Sequence, residues 1–296
     1  MRLFCFGFGY AAEALARRLS ARTTALAGTR TRIHESPPLG ARLATFQSDR
    51  GAGEVRSLLS GTTHLLVSIP PDLEGDVVLR HFRDDLLALC DLDWVGYLST
   101  VGVYGDCQGR WVDETSPARP ANERSLRRLQ AEQAWRDFGR DSGRRVEVFR
   151  LAGIYGPGRS LSDSLRAGTA RRIVKPGQVF NRIHVADLAQ TIDKAMDAAL
   201  TRRAGGIFNA ADDEPSAPGD PVLYAATLLG VAPPVEIAFE EAKRTMSPLA
   251  VSFYGENKRV RNDRIKSVLG VSLRYPTYRE GLRALATKRS GAPGQN

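Results

Sequence analysis

A doubly wound α/β fold, a parallel sheet wrapped by helices with a smaller C-terminal lobe, is the architecture predicted for this chain of 296 residues. Three observations carry the prediction. Short apolar runs alternate with helical patterns through the first half of the chain, the signature of repeated strand–helix–strand units. The first apolar run ends in Gly7-Phe8-Gly9-Tyr10-Ala11-Ala12, and an amphipathic helical pattern follows directly. After Gly158 the alternation gives way to segments containing Gly and Pro, which marks a change of architecture.

Strands are predicted over Arg2–Phe6, Thr24–Gly28, Ala41–Phe46, His64–Ile69, Trp94–Ser99 and Val146–Leu151. Helices fall between them, over about Ala11–Ala21, Glu54–Leu59, Val77–Cys90 and Glu123–Phe138. In the first helix Ala11, Leu15, Ala16 and Leu19 recur at helical spacing, with Glu13, Arg17 and Arg18 on the polar face. Past the turn Lys175-Pro176-Gly177 come a helix over about Asp187–Leu200 and a strand over Gly206–Ala210. The stretch from Asp212 to Gly219 reads as a connection between lobes, followed by two or three helices. The tail Ser290–Asn296 has a disordered composition.

Composition narrows the class. The chain is 42% hydrophobic, enough for a sizeable core, and holds no apolar run of about 18 residues that would span a bilayer. Met1 leads straight into the first strand with no signal-peptide pattern, so a cytoplasmic protein is expected. Cys5, Cys90 and Cys107 are widely spaced, and His34, His64 and His81 show no ligand spacing; neither a disulfide framework nor a metal site is predicted. The net charge of +9 is spread over Arg pairs such as Arg17-Arg18, Arg127-Arg128 and Arg171-Arg172. Without a basic arm or interleaved aromatics, this reads as solvated surface and not as a nucleic-acid or membrane partner surface.

The glycine turn points to a ligand. In a strand–turn–helix context Gly7 permits the tight turn, Gly9 lets backbone approach a pyrophosphate, and Ala12 lets the helix pack on the strand. The helix N-terminus, at Tyr10 and Ala11, then faces the phosphates. This is the Rossmann dinucleotide-binding arrangement. The second strand ends in Gly28-Thr29-Arg30-Thr31-Arg32, with no acid before Glu35. An acidic residue there would hold a ribose hydroxyl, whereas Arg30 with Thr29 suits a 2′-phosphate; NADP is therefore favoured over NAD. Ser68, ahead of Ile69 and Pro70 at the end of the fourth strand, is placed near the middle of the cofactor. The division that follows is a Rossmann domain over 1–158, to which 185–212 returns, and a small substrate lobe from 159–184 and 213–296.

Four further stretches carry a resemblance: Tyr97-Leu98-Ser99-Thr100-Val101-Gly102-Val103-Tyr104-Gly105, the run Arg150 to Gly158, the run Arg182 to Leu188, and Ile207 to Asp212. In these the chain resembles the extended short-chain dehydrogenase/reductases, the NAD(P)-dependent epimerase/dehydratase family. The resemblance implies a Ser/Thr after the fifth strand, matched by Thr100 beside Ser99, then a Tyr and a Lys four residues apart on the next helix. In the family the Tyr is the acid/base, the Lys lowers its pKa and holds the nicotinamide ribose, and the Ser/Thr steadies the substrate oxygen. Arg124 and Arg128 stand at the Tyr and Lys positions here. Arginine stays protonated at ordinary pH, so Arg124 cannot relay a proton, while Arg128 keeps a fixed fork of donors for a ribose hydroxyl or an anion.

The departure resembles atypical members with a reduced catalytic set, and the segment Glu256 to Leu282 resembles that branch too. Tyr104 and Tyr155 are the candidates for a replacement acid/base, each with a structural alternative. His184 reads as a structural hydrogen-bonding residue, and Asp187 as starting the next helix. Two functions follow: an NADP-dependent oxidoreductase or epimerase on a small carbonyl, hydroxyl or nucleotide-sugar substrate, or a non-catalytic NADP(H)-binding redox sensor. The resemblance also implies a homodimer through helices flanking the fifth strand.

Overall fold

The computed structural model describes residues 1–33, 38–47, 50–198 and 205–287. His34, Glu35, the tail Ser290–Asn296 and the last two residues of the helix expected over Asp187–Leu200 lie outside the described residues. In chain order the first half contains β1 (Arg2–Phe6), α1 (Tyr10–Arg18), β2 (Ala25–Arg30), β3 (Arg42–Thr45), α2 (Ala52–Leu59), β4 (His64–Val67), α3 (Val77–Ala88), β5 (Trp94–Thr100), β6 (Trp111–Val112), α4 (Glu123–Ser142), β7 (Arg145–Leu151) and β8 (Gly153–Tyr155). There follow α5 (Leu161–Arg166), β9 (Arg172–Val174), β10 (Arg182–His184), α6 (Val185–Ala198), β11 (Ile207–Ala210), α7 (Asp220–Leu229), β12 (Glu236–Ala238), α8 (Phe239–Ala242), α9 (Pro248–Tyr254), β13 (Arg259–Val260), α10 (Asp263–Leu269) and α11 (Tyr278–Thr287).

Seven strands make one parallel sheet in the order β11-β7-β5-β4-β1-β2-β3. The chain walks outward from β1 through β2 to β3, then returns to the other side of β1 with β4. Strand order therefore reverses between β1 and β4, and the crevice at their carboxyl ends is where such sheets bind ligands. Alternation along β1 feeds two cores. Leu3 and Cys5 pack with Leu15 of α1 and with Leu188 and Ile192 of α6. Phe4 and Phe6 pack with Val55, Phe82 and Trp135 on the opposite face.

The six predicted strands and four predicted helices of the first half are all present, with shifted ends. The shift that matters is in β2, which runs two residues past the expected end and takes Thr29 and Arg30 into the ladder, paired with Ala44 and Thr45. The second half differs more. Among the described residues five helices follow Gly219 where two or three were expected, because α8 and α9 are too short to show a helical period. Three two-stranded parallel ladders also escape the sequence pattern: β8 with β10, β9 with β12, and β6 with β13. The division expected at 213 is not clean either. Ile265, Leu269 and Val271 join the core of the main sheet, and the β6–β13 ladder ties the 259–260 segment back to the first half.

Helix α4, which carries Arg124 and Arg128, is locked to the sheet from beneath. Glu132 lies buried between two strands: its Oε1 accepts from Ser99 Oγ at 2.5 Å and its Oε2 from Arg150 Nη2 at 2.8 Å. Trp135 Nε1 donates to Asp76 at 3.0 Å, and Asp76 in turn caps α3 through the Val78 and Leu79 amides. Asn122 caps α4 itself by accepting from the Ser125 amide at 2.9 Å.

Two stability predictions follow. Glu132→Ala leaves the Arg150 guanidinium buried without its carboxylate and should cost about 3–5 kcal/mol in urea unfolding. The double variant Glu132→Leu with Arg150→Met should cost less than that single change, since it removes both charges. His64, packed beside the Trp94 ring, has its pKa pushed down by burial to about 4. The unfolded chain takes up a proton near pH 6.5 that the folded chain refuses, so the stabilisation present above pH 6.5 is lost as pH falls toward 4. A pH series of unfolding midpoints should show that decline, flattened in His64→Gln.

Candidate functional site

The turn from β1 into α1 is built around Gly7, whose φ of +87° lies in the left-handed region. A β-carbon at Gly7 would stand 2.4 Å from Ser68 Oγ, so both geometry and space require glycine. The turn is clamped from two strands. Gly7 donates its amide to Thr29 Oγ1 at 3.0 Å and Phe8 its amide to Thr29 O at 2.6 Å, while Ser68 Oγ donates to Gly7 O at 2.7 Å. Thr29 is buried, and its side chain supports the loop without facing the crevice.

Gly9 is the N-cap of α1 and offers no side-chain cap. A β-carbon there would meet nothing within 4 Å, so the crevice in front of it is open. Ala12 is buried against the main core. The first-turn amides of Tyr10, Ala11 and Ala12 thus end in an uncapped, approachable helix N-terminus, and these residues fit the pyrophosphate of a dinucleotide. Ile69 and Pro70 continue from β4 on the other side of the reversal point. Tyr10 turns away from the turn and donates its hydroxyl to Pro157 O at 3.1 Å.

Arg30 is the last residue of β2, and it is not free. Its Nη2 pairs with Glu13 Oε1 and its Nε donates to Phe8 O at 2.8 Å. Glu13 sits in the first turn of α1, so a charge pair spans the place where the adenosine end of a dinucleotide would lie.

At the other end of the crevice Thr100 closes β5. Its Oγ1 accepts from the Gly102 amide at 3.0 Å, which leaves the hydroxyl proton available to a substrate oxygen. Ser99, placed beside it by the sequence, has its hydroxyl turned inward to Glu132. Arg128 lies along β5, donating to Leu98 O at 2.8 Å and Tyr97 Oη at 3.2 Å. One turn earlier, the Arg124 guanidinium lies 5.8 Å from the ring centre of Phe253 on α9. Gly102 separates this turn of α4 from Thr100: a β-carbon there would lie 2.8 Å from Ser125 Oγ and 3.3 Å from Thr100 Oγ1. The turn capped by Thr100 and the α4 turns that carry Arg124 and Arg128 therefore pack against the same end of β5.

The candidate acid/base tyrosines do not join them. Tyr104 is buried, donates its hydroxyl to Asn209 Oδ1 at 2.7 Å and lies under the Arg150 guanidinium. Burial pushes its pKa up to about 12, and its role is to tie β11 to the turn after β5. Tyr155 is half-buried, with its hydroxyl toward Thr277 O at 3.5 Å and its pKa raised by burial. Asp187 does not start α6, which begins at Val185; its carboxylate accepts from the Arg274 and Tyr275 amides at 2.7 and 2.9 Å. His184 Nδ1 accepts from the Ala186 amide at 3.1 Å. Sequence reasoning missed Glu13, Phe253 and Glu256, whose roles arise only from long-range packing. Among the described residues no group of His, Cys, Asp or Glu could hold a metal ion, and no helix is long and apolar enough to cross a membrane.

Comparison with known proteins agrees with this geometry. Residues 84–211 match the model of the NAD dependent epimerase/dehydratase family. A functionally unknown conserved protein from Silicibacter pomeroyi has a similar solved structure, with a TM-score of 0.83 and 43% identity over 96% of this chain and 98% of its own. Protein YeeZ of Escherichia coli is 30% identical over 183 residues, a match that takes in 61% of this chain and 58% of YeeZ. The human epimerase family protein SDR39U1, solved with NADPH, shares the fold at a TM-score of 0.75 and 17% identity, over 98% of this chain and all of its own. With its seven-stranded parallel sheet and glycine turn, the chain belongs to the NAD dependent epimerase/dehydratase family and carries that family's NAD(P)-binding fold.

Proposed function

We propose that this chain is an NADP-dependent oxidoreductase or epimerase acting on a small carbonyl or hydroxyl compound, nucleotide sugars included. The observation that carries the reading is the uncapped N-terminus of α1 behind the Gly7–Gly9 turn, open at the reversal point of the sheet. A nicotinamide dinucleotide, when bound, supplies a hydride acceptor or donor. The chain's own part is positional and electrostatic. The α1 amides hold phosphate oxygens, Arg128 presents its remaining donors toward a ribose, and Thr100 donates a hydrogen bond to the substrate oxygen.

The preference for NADP rests on Arg30, with Glu13 as its counter-charge. A 2′-phosphate there would share the guanidinium with a carboxylate already bonded to it, so Glu13 tempers the preference that Arg30 creates. Neither candidate phenol stands in for the missing tyrosine: Tyr104 and Tyr155 are both engaged by other parts of the protein. Thr100 orients the substrate oxygen by a hydrogen bond, and the proton itself is exchanged with solvent water. The same observation favours a second reading, a non-catalytic NADP(H)-binding sensor, in which the site binds the dinucleotide and turns nothing over. NADPH oxidation across aldehydes and ketones, together with product analysis of nucleotide sugars incubated with coenzyme, separates the two: oxidation or epimerised product supports the enzyme, and binding with neither supports the sensor.

Arg30→Ala should weaken NADPH by about tenfold to a hundredfold in a fluorescence titration and NADH much less. Glu13→Gln should tighten NADPH. Equal losses for both coenzymes in Arg30→Ala would remove the NADP preference. Gly9→Val, whose side chain projects into open space, should keep its unfolding free energy within about 1 kcal/mol of the wild type while losing affinity for both coenzymes.

A further inference from the structure

Arg124 stands out among the arginines of the crevice because, among the described residues, no hydrogen bond or ion pair uses its guanidinium. Arg30, Arg128 and Arg150 each donate to a carbonyl or carboxylate, but among the described residues Arg124 has no carboxylate within ion-pair distance. The carboxylate that acts on it from the lobe, Glu256, has its oxygens taken by Asn122 Nδ2 at 2.9 Å and Lys258 Nζ at 2.5 Å. Its neighbour one turn on, Arg128, is a like charge, and that repulsion adds to burial in lowering the Arg124 pKa. A cation in this setting is stabilised by an incoming anion.

The surroundings say what kind. The Arg124 guanidinium lies near the Phe253 ring, which orients a planar fork of donors without occupying it. Phe253 and Leu249 lie four residues apart on α9, on one face of the helix, and are 52% and 50% exposed. Ser125, next along α4, abuts Gly102 in the turn that Thr100 caps, so the first turn of α4, which carries Arg124, packs beside the residue assigned to the substrate oxygen. We infer that Arg124 binds a carboxylate adjacent to the reacting carbonyl or hydroxyl, and that Leu249 and Phe253 cover the apolar body of the same molecule: the substrate class is an oxo- or hydroxy-acid with an apolar side chain. One guanidinium with a free fork matches the two oxygens of a carboxylate, since Arg128 is already engaged by Leu98 and Tyr97. An arginine where the family carries a phenol thus serves recognition of charge in place of proton transfer.

This inference rests on the dinucleotide reading, and its test separates the two. The full chain is first titrated with NADPH, then, at saturation, with phenylpyruvate and with phenylacetone, in which a methyl group replaces the carboxylate. Phenylpyruvate should bind at least about tenfold more tightly than phenylacetone. Arg124→Gln should abolish that difference with NADPH affinity unchanged, and Arg124→Lys should keep part of it. Equal binding of the two probes, retention of the difference in Arg124→Gln, or no binding of phenylpyruvate overturns the assignment. If NADPH itself fails to bind, the dinucleotide reading falls, and the same titrations on the unliganded chain still score Arg124.

Discussion

The contact between Ser68 and the Gly7 carbonyl, with the Thr29 clamp on the Gly7 amide, sets the geometry of the crevice. Three parallel strands deliver these groups to one point: β1 brings the turn, β2 the threonine and β4 the serine. A left-handed glycine closes the turn in a space too tight for any other residue. The consequence is that α1 starts where its first amides face the reversal point of the sheet, uncapped. A helix end left in that state stabilises an anion brought to it, and among the described residues no side chain caps it.

The second fixed point is α4. Glu132 joins Ser99 on β5 to Arg150 on β7, so the helix that presents Arg124 and Arg128 is registered against the same sheet that presents the glycine turn. Buried charges of this kind contribute little net stability and a good deal of positional definition. The lobe is attached through the short β6–β13 ladder and the Asn122–Glu256 and Lys258–Gly105 hydrogen bonds, which bring α9 over the first turn of α4. The site is therefore made of the sheet floor and a lobe joined to it both by these polar contacts and by Ile265, Leu269 and Val271 in the core of the main sheet.

Much of the floor was legible in the sequence. Gly7 and Gly9 are dictated by backbone sterics, which leave a local trace, and six apolar runs in parallel order leave little choice of sheet. What was not legible depended on side-chain direction. Thr29 and Ser99 sit next to the right positions, yet one faces the turn and the other faces Glu132, and no local pattern distinguishes these from exposure to the crevice. Arg30 was correctly placed at the end of β2, but its pairing with Glu13 joins residues of two different elements. Tyr104 finds Asn209 across more than a hundred positions of chain. The lobe was the hardest part to foresee: two- and three-residue strands and helices of four to seven residues carry no periodicity.

The central claim is that the α1 N-terminus receives the phosphates of a nicotinamide dinucleotide, and the most direct measurement is a crystal structure of the chain grown with NADPH. The account predicts pyrophosphate oxygens about 3 Å from the first-turn amides of α1, the adenosine end beside Arg30 and the nicotinamide end toward Thr100 and Arg128. A coenzyme bound elsewhere, or a crevice without coenzyme density at millimolar NADPH, would contradict it.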